Sequence, residues 1–129
     1  MDGAEILRRL ADGSLPPRDF SHYNHIRVAC HCLARWPLPE ATENFCAALR
    51  AYVKQFGVED KFHVTLTQAL MRLIHSRTGH AGDWESFVAS NADLFDDARG
   101  LLGRHYSPAR LMSEAARKTW VEPDLRPLP

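Results

Sequence analysis

Phe20-Ser21-His22-Tyr23-Asn24-His25-Ile26-Arg27-Val28-Ala29-Cys30-His31-Cys32-Leu33-Ala34-Arg35-Trp36 reads as one amphipathic helix. At about 100° per residue, His22, His25, Ala29, Cys32, Leu33 and Trp36 fall in one sector. Ser21 is an N-cap, with Phe20 before it as a hydrophobic staple. Pro37 and Pro39 close the segment. The flanks repeat the pattern. Ala4 to Ala11 carries Ile6, Leu7 and Leu10 at helical spacing, and Gly13 with Pro16-Pro17 ends it. Pro39 to Phe56 carries Phe45, Leu49, Tyr52, Val53 and Phe56 on one face, and Gly57 caps it. Glu59 to Arg77 carries Phe62, Leu66, Leu70, Leu73 and Ile74, with Gly79 and Gly82 as its end.

A short fifth helix begins near Asp83 and holds Trp84, Phe87 and Val88. A sixth spans Leu94 to Leu102. Ser107-Pro108 is a cap followed by proline at the first helical position, opening a helix to about Lys118. Residues 120–129 contain three prolines and are expected to be extended. No window alternates at period two, so the fold class is all-α: a compact single-domain bundle of five to seven helices over residues 1–129, with an extended Pro-rich C-terminal tail.

The chain has 129 residues, within the ~100–150 common for one domain. Sixteen basic residues balance sixteen acidic ones, so no net field favours nucleic acid or an anionic membrane. No apolar run nears the ~20 residues of a membrane span. The acidic start Met1-Asp2-Gly3-Ala4-Glu5 has no signal-peptide core, which makes a cytoplasmic location the expectation. Cys30, Cys32 and Cys46 form no C-x-x-C pair and read as buried thiols of a reducing compartment.

Seven histidines stand out: His22, His25, His31, His63, His75, His80 and His105. His22 and His25 lie about 60° apart on the apolar face of their helix, whereas His31 lies further round and is expected to be more exposed. His63 falls in line with Thr67, Leu70 and Ile74, in the first turn of the fourth helix. If the two helix starts converge, three imidazoles meet. Neutral imidazole ligates transition metals, and a helix N-terminus disfavours imidazolium. The expectation is one divalent transition metal on His22, His25 and His63, with zinc first and iron or copper next. His105 or a water would complete the site. That makes a mononuclear metalloenzyme acting on a small-molecule substrate, by hydrolytic, lyase or oxidative chemistry.

Asn24, Thr65 and Thr67 are candidates to bond the outer ring nitrogens, Arg27 to hold an anion, and Tyr23 and Tyr106 to donate to a substrate. Each has a plain structural alternative: threonine bonded within its helix, tyrosine half-buried, arginine covering the surface with its stem. Glu40 and Glu43 read as solvated first-turn acids outside the site, and His75 and His80 as structural residues at a helix end. H-x-x-H lacks the glutamate of H-E-x-x-H, which argues against a zincin-type protease. No serine-hydrolase elbow, P-loop, dinucleotide fingerprint or EF-hand loop is present. The rival reading is a metal-free helical ligand-binding or accessory protein whose histidines are hydrogen-bonded structure. A third is a homodimer, in place of a monomer, built on Trp84 and Trp120.

Phe20-Ser21-His22-Tyr23-Asn24-His25-Ile26-Arg27-Val28-Ala29 and Lys61-Phe62-His63-Val64-Thr65-Leu66-Thr67 resemble a family of small, uncharacterised bacterial proteins. Its patterns are F-x-H-x-[DN]-H-[LI]-R-V-A and K-[YF]-H-x-T-[LIV]-T. Trp84 to Phe95 and Tyr106-Ser107-Pro108-Ala109-Arg110-Leu111 look similar as well. The resemblance implies an all-helical bacterial protein and singles out His22, His25 and His63, but it implies no particular reaction. The family often carries an acid after the third histidine and an aspartate before the second. Here Val64 and Asn24 stand there, so any metal set is histidine only.

Overall fold

The computed structural model describes residues 1–78 and 83–129. Among them every regular element is helical, and the fold class is all-α. Gly79, Gly82 and His80 lie outside the described residues. The chain divides into two units, Met1–Phe62 and His63–Pro129.

In the first unit, α1 (Gly3–Asp12), α2 (His22–Arg35) and α3 (Leu38–Gln55) touch one another pairwise. Asp2 caps α1 through the Glu5 amide, and Gly13 ends it in the left-handed region at φ 77°, which glycine adopts without a Cβ penalty. Ile6, Leu10, Leu15, Ile26, Ala29, Cys32, Ala41 and Phe45 are buried, as the helical periodicity requires. The Tyr52 hydroxyl donates to the Leu15 carbonyl (2.9 Å) and so pins the α1–α2 connection to α3. Where α1 meets α2, a Cβ added at Gly3 would lie 2.5 Å from the His31 Cβ. His31 is therefore half-buried against α1, not turned to solvent as its position on the helical wheel suggests.

In the second unit, α4 (Val64–Thr78) contacts α7 (Ala98–Gly103) and α9 (Glu114–Lys118). Between them come α5 (Trp84–Ser90), α6 (Ala92–Asp96) and α8 (Pro108–Leu111). Met71, Ile74, Leu94, Leu102 and Tyr106 are buried, and Trp84 stacks on Phe87 (5.9 Å) while Phe95 meets both edge-on at 5.8 and 6.4 Å.

Three expected helices are interrupted, each at a capping side chain. Glu59–Lys61 forms a 3-10 turn, Phe62 is extended (φ −74°, ψ 126°), and α4 starts only at Val64. The expected Leu94–Leu102 helix is split by Asp97, whose carboxylate accepts the Gly100 amide (3.1 Å). The expected Pro108–Lys118 helix is split by Ser113, whose hydroxyl accepts the Ala116 amide (3.1 Å). A side-chain acceptor that satisfies a first-turn amide lets the backbone leave the preceding helix at little cost. The predicted caps Ser21 and Ser107 are in place, bonded to the Asn24 and Arg110 amides. Residues 120–129 carry no helix and bend at 124–126.

Removing an N-cap oxygen costs typically ~1 kcal/mol. Asp97→Ala and Ser113→Ala should each lower unfolding free energy by about that much in urea titrations. Exposed Asp96→Ala should leave it within about 0.5 kcal/mol of the parent, as surface changes do.

Candidate functional site

The start of α2 is held from both sides. Ser21 Oγ accepts the Asn24 amide (3.2 Å), and Asn24 Nδ2 donates back to the Asp19 carbonyl (2.7 Å). Phe20, the residue before the cap, stacks on His25 with ring centroids 5.3 Å apart and planes 9° apart. His25 is the fourth helical residue, so this pair is a hydrophobic staple in which an imidazole takes the inner position. Phe45 meets the same ring edge-on at 5.2 Å. Phe20 continues onto Tyr52 (5.5 Å) and Tyr52 onto Phe56 (4.9 Å), forming an aromatic column.

His25 Nε2 is buried without a hydrogen-bond partner. Burial first, and the neighbouring His22 second, bring its pKa down to about 4. The ring is neutral at pH 7 because a charged imidazolium there would lose its hydration. His22 is exposed, with its ring centroid 6.5 Å from that of His25. The structure thus brings His22 and His25 together on one turn. Arg27 is half-buried and Tyr23 exposed.

His63 belongs to the second unit and precedes α4 instead of sitting in its first turn. Its Nδ1 accepts the Leu66 amide (3.0 Å), and its carbonyl accepts the Thr67 amide (3.1 Å), so the residue is the N-cap. An Nδ1 that accepts carries no proton. The proton therefore sits on Nε2, which donates to the Leu111 carbonyl at 2.8 Å. Both ring nitrogens are in use.

Thr65, Tyr106 and His105 have structural partners as well. Thr65 is fully buried and bonds neither an imidazole nor its own helix. Its Oγ1 donates to the Thr119 carbonyl (2.7 Å) and accepts the Val121 amide (3.1 Å). Thr67 is buried in α4. Tyr106 is fully buried and donates to the Val121 carbonyl (2.8 Å); burial above all pushes its phenol up to about 12. His105 is buried, and its Nδ1 donates to the Arg126 carbonyl (3.0 Å). His75 and the acids Glu40 and Glu43 are exposed. Cys30, Cys32 and Cys46 are free thiols, and burial raises the first to about 12 and the second to about 11. Among the described residues no group of three or more His, Cys, Asp or Glu side chains is placed to hold a metal ion.

The attachment of residues 119–126 rests on partners distant in sequence. Ser107 and Asp124 bond each other across seventeen residues (2.6 Å), and nothing in local spacing signals such a pair. No family model matches the sequence, and neither a curated protein nor a solved structure matches it.

Two outcomes follow from these bonds. His63→Ala removes a cap and a donor, and should destabilise by about 2 kcal/mol; His63→Asn, itself a good cap, should restore about half of that. For His25, the folded pKa of about 4 lies below the ordinary 6.5, so the unfolded chain takes up the proton first. Its contribution to stability is complete above pH 6.5 and declines as pH falls toward 4, by on the order of 3 kcal/mol. His25→Phe should flatten that part of the stability–pH curve. An unchanged slope would show that other groups produce it.

Proposed function

We propose that this chain is a metal-free helical protein of the ligand-binding or accessory kind, in which histidines organise helix starts. The observation that carries this reading is the His63 ring. One nitrogen accepts the Leu66 amide and the other donates to the Leu111 carbonyl. A metal ligand needs a free lone pair, and His63 offers one only by releasing the Leu66 amide at Nδ1 or, with its proton moved to Nδ1, by giving up both the Leu66 and the Leu111 bonds. The staple of Phe20 on His25 supports the same reading, since it accounts for an inward imidazole at that position.

A second reading is the mononuclear three-histidine metalloenzyme. It is favoured by the His22–His25 pair, one turn apart at 6.5 Å, and by the low pKa that keeps His25 in its metal-binding form. Zinc suits such a nitrogen set, and iron or copper follows.

One experiment separates the two. Elemental analysis of protein purified without immobilised nickel, followed by titration with Zn2+, Fe2+ and Cu2+, should give well under one equivalent of metal on the first reading. His22→Ala and His63→Ala should then destabilise additively, within about 0.5 kcal/mol. Stoichiometric metal in the parent, its loss in either single variant, and strong coupling between the two substitutions would establish the second reading instead.

A further inference from the structure

Beyond α9 the chain turns back over the second unit and is gripped mostly by its main chain. Thr65 Oγ1 holds the Thr119 carbonyl and the Val121 amide. The Tyr106 hydroxyl donates to the Val121 carbonyl, and Arg110 Nε to the Glu122 carbonyl. The His105 carbonyl accepts the Leu125 amide at 2.9 Å, and its ring donates to the Arg126 carbonyl. Two side chains add identity. Trp120 sits edge-on to Tyr106 (6.4 Å) with the Arg72 guanidinium 4.9 Å from its ring. Asp124 accepts the amide and hydroxyl of Ser107 at 2.8 and 2.6 Å.

Fixed side chains reading the backbone of an extended segment, with selectivity from one or two pockets, is how proteins bind peptides in trans. The gripped segment also buries little of itself. Glu122, Asp124, Leu125 and Arg126 are exposed, with Leu125 at 59%. Its attachment is mainly polar, and each such bond nets only ~0.5–1.5 kcal/mol once water replaces the partner. A segment with few buried apolar contacts opens at a lower free energy than the core. Pro123 holds its backbone near the bound shape, which reduces the entropy lost on rebinding.

We propose that Thr65, His105, Tyr106, Ser107 and Arg110 form a docking site for an extended peptide bearing an aromatic residue and, four positions later, an aspartate. The chain's own residues 119–126 are its resident and detachable occupant. The proposal rests on the second unit's bonds alone, independently of whether the histidines hold a metal.

Amide exchange of the intact wild-type protein in low denaturant tests the detachment. The Val121, Leu125 and Arg126 amides should exchange at least about tenfold faster than those of Leu70, Met71 and Ile74, without denaturant dependence. Exchange in step with α4 overturns the proposal. A fluorescein-labelled peptide of residues 119–129 tests the docking. Full-length Val121→Pro/Asp124→Ala lacks one amide donor and one carboxylate in its own tail. It should bind the peptide at least about tenfold more tightly than wild type, whose tail competes. Adding Tyr106→Phe should weaken that binding by about tenfold. Absence of saturable binding to the double variant, or binding indifferent to Tyr106, defeats it.

Discussion

An imidazole that accepts at one nitrogen and donates at the other sets where α4 begins. His63 takes the Leu66 amide and gives its proton to the Leu111 carbonyl, so one side chain joins the start of α4 to the end of α8. The register of α4 follows from that start. Two residues later, Thr65 is carried into the position from which it grips the Thr119 carbonyl and the Val121 amide. A four-residue helix such as α8 has no independent stability, since helices this short are marginal in water. It persists because its last carbonyl, its Ser107 cap and Arg110 are each engaged by residues distant in sequence.

The first unit solves the same problem by different means. The start of α2 is held by a serine cap, an asparagine reaching back to Asp19, and an aromatic staple. The unusual element is that the staple's inner ring is an imidazole. Stacked on Phe20 and met edge-on by Phe45, it behaves as a small aromatic, and its buried, unpartnered Nε2 is tolerated only while the ring stays neutral. The staple gives an inward histidine a packing role at that position. A helical wheel shows that a side chain faces the core, but not what meets it there.

Much of the fold was legible because its punctuation is local. Ser21, Gly13, Pro37 and Ser107-Pro108 act within three or four residues of themselves, and each stands where the pattern places it. The interior breaks at Asp97 and Ser113 were harder to see. Apolar periodicity runs through both, and a lone Asp or Ser within such a run is as compatible with a solvated helix face as with a cap. His63 was hidden for a related reason: histidine is rarely thought of as a capping residue, although Nδ1 reaches the third amide onward as a serine hydroxyl does. Spacing places both His22 and His25 on the inward face; His25 is there, whereas His22 is exposed at the first position of α2, and the burial of His31 has no such signal. The contact that buries His31 comes from Gly3, and the absence of a side chain leaves no periodic signal. The anchoring of residues 119–126 depends on pairs separated by up to 56 residues, beyond any local rule.

The cysteines carry a chemical consequence. Burial raises the Cys30 thiol to about 12 and the Cys32 thiol to about 11, so both are held in the protonated form at pH 7. Sulfur reacts with peroxide, disulfides and alkylating agents as the anion, so burial slows such reactions at these two positions. Adducts there form faster once the packing is lost, which makes the two sulfurs a gauge of unfolding.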